Sequence, residues 1–281
     1  MTMTIERHEG WLLAKSQIHH GGNEKNGSTP ILRSIYMHVD GGGEVPIPYI
    51  NGNAIRGKLR RHLMKEFLTL VGIEPETLNT KLYHTFFTGG SLESVDEMDG
   101  CINLDMRKEI RNFLPPVALL GCAIGNQMIP GKLKVGHAFP VCSEYAQYLP
   151  DGLKSDSRAA MPVRSFTDES FRTRKDDLRC DRPDDEQAMQ MKVDFECFIP
   201  GTMFYHWFSL EYPTEIERSC FGRYIELFQS SPFVGGMSGT GYGEVIFNYL
   251  PELPSSNEYL DFLAENREKI AEVIHKLEEK I

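Results

Sequence analysis

The stretch MKVDFECFIPGTMFYHWFSLEYPTEIERSCFGRYIELFQ, residues 191–229, reads as a strand, a turn, a second strand and a capped helix. Residues 191–198 alternate apolar and polar, the pattern of a half-buried strand, and Pro200-Gly201 supplies a turn before the aromatic run 203–211. These two runs are expected to pair as a hairpin. Thr214 and Glu217 have the spacing of a capping box, in which each side chain satisfies a backbone N–H at the helix start. Ile216, Cys220, Phe221, Ile225 and Phe228 then fall on one helical face, carrying the helix to about Gln229.

Downstream, residues 233–248 form a glycine loop followed by the apolar strand Val245-Ile246-Phe247. Leu263, Ile270, Ile274, Leu277 and Ile281 make a narrow apolar stripe over 255–281, predicting a C-terminal helix that packs on its own domain. Upstream, residues 158–182 hold seven Lys/Arg and five Asp/Glu with few aliphatics, a protruding polar loop or ribbon. The clearest N-terminal helix is 53–71, where Ile55, Leu59, Leu63 and Phe67 recur every fourth position, Asn53 caps the start and Gly72 ends it. Strands are expected over 10–20, 31–39, 45–50 and 132–139, with 22–30 as a turn and Pro46 and Pro48 placing 45–50 at a sheet edge. A helix around 104–113 and an apolar run at 115–121 lie within a helical and irregular insertion over 73–130. The order predicts one decorated α+β domain over 1–281, consistent with a ferredoxin-like core, with a second insertion over 140–195.

At 281 residues, 41% hydrophobic and 25% charged, the chain supports a buried core and is not a disordered or stapled small protein. No run approaches the ~20 apolar residues of a membrane helix, and residues 1–8 lack a signal peptide's apolar centre, so a cytoplasmic protein with no membrane partner is expected. Cysteines at 101, 122, 142, 180, 197 and 220 form no Cys-x-x-Cys pair, and His19, His38, His62 and His84 show no ligand spacing. Neither disulfide, metal nor cofactor is expected. A net charge of −10 opposes nucleic-acid binding by bulk field, so any such binding needs locally gathered cations.

Two segments gather them. In Gly235-Gly236-Met237-Ser238-Gly239-Thr240-Gly241-Tyr242-Gly243, five glycines in nine residues permit positive φ and close backbone approach, and Ser238 and Thr240 add hydroxyls. No Gly-Lys-Ser/Thr closes the loop and a strand follows it, so neither a P-loop nor a dinucleotide fingerprint fits; a structural turn is the other reading. PYINGNAIRGKLR, residues 48–60, runs an extended segment into a helix N-terminus, whose free N–H groups and dipole favour phosphate. Arg56, Lys58, Arg60, Arg61 and Lys65 follow with no acid before Glu66, and a solvated helix face is again the alternative. Two anion-friendly elements suit a polyanion better than one phosphate.

In this order, the strand ending at Gly21-Gly22, the segment 48–60, Leu119-Leu120-Gly121, the strand pair around 199–204 and the loop 235–243 resemble the RAMP-superfamily backbone subunits of CRISPR effector complexes. The resemblance spans about residues 10–248. It implies a modified ferredoxin-like, RRM-like palm, a β-hairpin thumb over 140–195 that wedges between guide bases, and a chain that stacks head-to-tail as a helical filament on CRISPR RNA. Met161, Val163 and Phe166 would supply the wedge, and Arg164, Arg172, Arg174 and Lys175 would reach phosphates. His20, Gly21, Gly22, Asn53, Arg56, Lys58, Arg60, Arg61 and the loop from Gly235 to Tyr242 would line the guide, contacting backbone without reading sequence. Implied partners are other effector subunits and a target DNA or RNA paired with the guide, in antiviral defense. Type III relatives cleave with an aspartate in the loop after the first strand; here 21–34 holds Glu24 and Asp40 comes later, so a non-cleaving scaffold of type IV, or of type I-D, is expected. Two alternatives stand: an endoribonuclease of the same superfamily using His19 or His20, and a protein that binds no nucleic acid.

Overall fold

The computed structural model describes residues 4–39, 41–90, 103–124, 127–175 and 190–280; for Asn23, Arg174, Lys175 and Gln190 it describes the backbone alone. Along the chain, β1 (Ile5–Ala14) is followed by β2 (Gly21–Asn26), β3 (Thr29–Leu32), β4 (Ser34–His38), β5 (Glu44–Pro48) and the long helix α1 (Gly52–Val71). Then come α2 (Thr80–Thr88), α3 (Leu104–Phe113), α4 (Pro115–Leu120), β6 (Cys122–Ile124), β7 (Gln127–Ile129), β8 (Leu133–Val135), β9 (Phe139–Pro140) and α5 (Asp151–Lys154). The remainder is β10 (Thr167–Lys175), β11 (Gln190–Phe198), β12 (Met203–Glu211), α6 (Glu215–Ser230), β13 (Val245–Leu250), α7 (Asn257–Glu265) and α8 (Arg267–Lys280).

The fold is mixed α+β, built on an antiparallel sheet in the order β13-β1-β12-β8, with β9 also on β12. Its chain path is strand, helix, two strands, helix, strand: β1, α1, β8, β12, α6, β13. Alternation sets its two faces. Leu12 and Ala14 of β1, Phe204, Phe208 and Leu210 of β12, and Val245 and Tyr249 of β13 join the buried face of α1 and α6 in one core. Phe208 meets Phe221 and Tyr224 of α6 at ring distances of 5.5 and 6.0 Å. Each such buried side chain contributes roughly 1.5–3 kcal/mol over leaving it in water. The opposite sheet face carries a second core in which Tyr205 of β12 packs with Ile47, Tyr49, Phe139, Tyr145 and Phe166.

The helix ends follow the sequence with one shift. Gly72 closes α1 in the left-handed region at φ 82°, but Asn51, not Asn53, is its N-cap. Asn51 Oδ1 accepts from the Asn53 N–H at 2.8 Å, which a residue inside the first turn cannot do for itself. Both arms of the α6 capping box are present, Thr214 N–H donating to Glu217 and Glu217 N–H to Thr214 Oγ1.

Strand partnership departs from the sequence reading. β11 and β12 do not form a hairpin: β11 pairs along its length with β10, and β12 lies in the central sheet between β1 and β8. The end of β1 takes up the backbone between them, since Ala14 N–H donates to Thr202 O at 2.9 Å, Gly201 N–H to Ala14 O at 2.8 Å, and Ile18 bridges Phe198. Alternation identifies strands but carries no record of their neighbours. The turn-rich segment is itself a hairpin, β2–β3, and the strand expected at 31–39 divides at Arg33 into β3 and β4, with β4 on β5. The expected single tail helix is two, α7 and α8, broken at Asn266. Their residues Leu263, Ile270, Ile274 and Leu277 are buried in the main core, so the stripe packs on its own chain; Ile281 lies outside the described residues. Among the described residues no helix is long and apolar enough to cross a membrane.

Candidate nucleic-acid interface

Residues 17–20, just past β1, are the seam on which the candidate elements meet. Gln17 O accepts from Gly243 N–H and His19 O from Gly236 N–H, both at 2.8 Å, fastening the two ends of the glycine loop. Ile18 bridges β11 at Phe198, and the His20 ring reaches the start of α1. Gly21 and Gly22 continue into β2.

The N-terminus of α1 is already occupied. Asn51 N–H donates to His20 Nε2 at 3.1 Å and Gly52 N–H to His137 Nδ1 at 3.0 Å, while Ala54 and Ile55 N–H reach Asn51 O. A side chain at Gly52 would collide with the Gly136 carbonyl, which fixes the helix start against the end of β8. Both imidazoles accept and are therefore neutral. Burial, with Arg33 and then His19 beside it, pushes His20 down to about 4, and burial followed by Arg33 lowers His137. The expected phosphate seat on free N–H groups of this helix is therefore not there: two histidines hold them.

The basic run of α1 also divides. Arg60 is 6% exposed and donates to the Leu120 and Gly121 carbonyls at 2.7 and 2.8 Å and to Phe86 O at 3.4 Å. Burial, then the neighbouring Arg56, pushes its pKa down to about 10. This corrects the expectation that Arg60 faces a guide: it closes the C-terminal carbonyls of α4, a use of guanidinium that charge alone does not reveal. Arg56 donates to Leu120 O as well. Lys58 turns the other way, to Phe233 O at 3.0 Å with its ammonium 5.2 Å from the Phe233 ring, and burial and then Arg61 lower its pKa. Arg61 is exposed and has no partner among the described residues; Asn53 is exposed in the first turn.

In the glycine loop, Gly235, Met237, Gly241 and Gly243 have φ of 72°, 62°, 85° and 90°. Most of its N–H groups are spent internally: Thr240 and Tyr242 donate to Met237 O and Gly241 to Ser238 O, in addition to the Gly236 and Gly243 bonds. Those of Gly235, Met237, Ser238 and Gly239 have no acceptor among the described residues, so the loop offers four N–H groups, three of them consecutive, and not nine. No neighbouring atom lies within reach of a Cβ at Gly239.

Tyr242 joins this loop to the β10–β11 hairpin. Its ring lies 5.7 Å from Phe195, its hydroxyl 3.3 Å from Ser170 Oγ, and Arg172 sits 5.6 Å over it while donating to Thr240 Oγ1. Of the expected wedge residues, Phe166 is 5% exposed in the second core and so turned away from any ligand; Val163 packs against that core half-buried, at the wall of a surface cleft, and Met161, 41% exposed, precedes the hairpin. The exposed apolar side chains of the hairpin are Phe171 at 59%, Met191 at 60% and Val193 at 38%. Phe171 is the lone large apolar residue in the charged run 167–177, a signal the sequence did offer. Arg164 is exposed beside an acidic cleft lined by Glu24, Asp168, Glu169 and Glu196. Arg174 and Lys175 have backbone in β10; their side chains, and residues 176–182 of the ribbon, lie outside the described residues.

Among the described residues no group of three or more His, Cys, Asp or Glu is placed to hold a metal. Cys122, Cys142, Cys197 and Cys220 are buried thiols whose pKa burial raises; Cys101, Cys180 and Asp40 lie outside the described residues.

No protein-family model and no curated protein matches the chain. Among solved structures, the fold is similar to that of a chain from a Type IV-B CRISPR complex, with 23% sequence identity over 89% of this chain and 96% of that one and a TM-score of 0.58. The likeness is one of fold.

Proposed function

We propose that this chain is a non-catalytic, RNA-binding backbone subunit of a CRISPR effector of type IV, a member of the RAMP superfamily that stacks in copies along a guide. The observation that carries the reading is one hydrogen-bonded junction. Lys58 of α1, the open N–H groups of 237–239 and Arg172 midway along β10 are tied together through Phe233, His19 and Tyr242. Cations and bare N–H groups along one path suit a phosphodiester strand, and a path of backbone contacts accepts any guide sequence. The strand-helix-strand-strand-helix-strand sheet is then a ferredoxin-like, RRM-like palm, and β10–β11 is the thumb, with Phe171 and Met191 in place of Met161 and Phe166 as its base-contacting side chains. Similarity of fold to a chain of a Type IV-B CRISPR complex supports the same assignment. Other effector subunits and a target strand paired to the guide are its partners, in the cytoplasm.

Absence of catalysis is part of the proposal. Residues 21–34 contain no aspartate, and His20 has its Nε2 engaged and its pKa pushed down to about 4, which leaves it a poor base at neutral pH. Purification followed by light scattering and the ratio of nucleic-acid to protein absorbance tests the reading. Several copies of the chain on one RNA of uniform length are expected; a nucleic-acid-free monomer overturns it, and RNA cleavage lost in His20→Ala replaces it with the endoribonuclease.

A further inference from the structure

A cleft of about 660 Å3 opens along a different face of α1 from the one that meets the glycine loop. Its walls are α1 at Arg56, Gly57 and Arg60, the Gly89-Gly90 turn after α2, the end of α4 and the β6–β7 hairpin, with Arg61 at its edge. By helix geometry Lys58 lies roughly 160° round α1 from both Arg56 and Arg60. Among the described residues, three guanidinium groups and no carboxylate line the cleft. Arg56 and Arg60 donate to the same carbonyl, Leu120 O, so two like charges sit side by side, and among the described residues only main-chain oxygens answer them. Arg56 Nε is buried and has no acceptor among the described residues.

The rest of the lining defines what the anion is attached to. Gly57 lies inside a helix, where glycine costs stability, yet a Cβ there would meet only the Arg61 guanidinium at 3.6 Å. No packing contact requires that glycine, and without a side chain it leaves the helix surface flat at the cleft floor. Opposite, Met128 is 62% exposed, with Ala123 and Ile129 beside it on the same wall. Fixed positive charge at one side, a flat glycine floor and an apolar wall, in a space several times larger than a phosphate, fit a phosphate joined to a planar ring.

We infer that this cleft seats a single nucleotide, its phosphate on Arg56 and Arg61 and its base between Met128 and the Gly57 floor. The site goes beyond the strand path proposed above and rests on that reading only in taking RNA as the source of the nucleotide.

Titration calorimetry on protein freed of nucleic acid, with adenosine 5′-monophosphate, inorganic phosphate and an acidic peptide as probes, tests it. The nucleotide is expected to bind at least about tenfold more tightly than either other probe. Gly57→Leu, which fills the floor with a good helix former, should weaken the nucleotide about tenfold while the melting temperature holds or rises. No binding of the nucleotide, phosphate or peptide binding as tightly, or an unchanged affinity in Gly57→Leu overturns the assignment. Long single-stranded RNA titrated against Lys58→Glu reads the strand path separately: failure there, with nucleotide binding intact, removes the backbone-subunit reading and leaves the cleft.

Discussion

α1 and α6 lie against the same face of the central sheet, yet they use their cations in opposite ways. On α6, Arg218 pairs with Glu6 and Glu215, and Arg223 with Glu66 and Glu226, at 2.5–2.7 Å. The carboxylates raise both arginine pKa values, Glu6 contributing most for Arg218 and Glu66 for Arg223. On the first three turns of α1, Arg56, Lys58 and Arg60 donate only to main-chain carbonyls, and Arg61 has no partner among the described residues. Closing a charge with a carboxylate holds elements of the protein together; leaving it to a carbonyl keeps its field for a partner. The glycines repeat the contrast. A Cβ on Gly222 of α6 would collide with the Pro254 carbonyl, whereas one on Gly57 of α1 would make only an ordinary contact with the Arg61 guanidinium.

The strongest test of this contrast is Arg60→Ala, which strips the Leu120, Gly121 and Phe86 carbonyls of their donor and should cost about 3 kcal/mol in denaturant unfolding. A cost near zero would return Arg60 to the ligand face. Next, Lys58→Glu should weaken binding of single-stranded RNA by about tenfold and reduce the slope of log affinity against log salt by about one, at a smaller cost in stability than Arg60→Ala. Reversing Arg218 on α6 should do the converse, lowering stability and leaving the slope alone. Gly222→Ala should cost roughly 1–3 kcal/mol through overpacking, and Gly57→Ala should stabilise by roughly 0.5–1 kcal/mol. Equal effects at the two glycines would dissolve the comparison.

The smallest effect is on pH dependence. His20 at about 4 and the fully buried His206 at about 3 both lie below their ordinary value of 6.5, so the unfolded chain binds more protons than the folded one between those limits. Stability should therefore fall as pH drops from about 6.5 toward 4, and His20→Gln should flatten part of that slope in thermal melts.

Much of this was legible locally. The α6 capping box, the Gly72 stop, the fourfold spacing of α1, the alternation of β11 and the aromatic run of β12 are patterns among near neighbours in the chain, and each stands where its residue types place it. The glycine loop was legible as a site for unusual φ, since no side chain suits those angles as well. Less legible was the division of labour within a motif. Phe166 and Phe171 are the same residue type five positions apart, one in a core and one in solvent, and the charged run around Phe171 is what sets them apart in the sequence.

What the sequence alone determined is the long helices α1 and α6 with the Gly72 stop and the α6 capping box, the main strands, and the places where charge and glycine gather, because these depend on interactions spanning a turn or two. The tertiary structure decided the rest: that β11 leaves β12 for β10, that two histidines fill the start of α1, and that Arg60 turns inward while Lys58 turns toward the loop. Strand pairing and the burial of a charge depend on partners distant in the chain, and a residue's type does not say which distant carbonyl, carboxylate or strand edge the fold will bring to it.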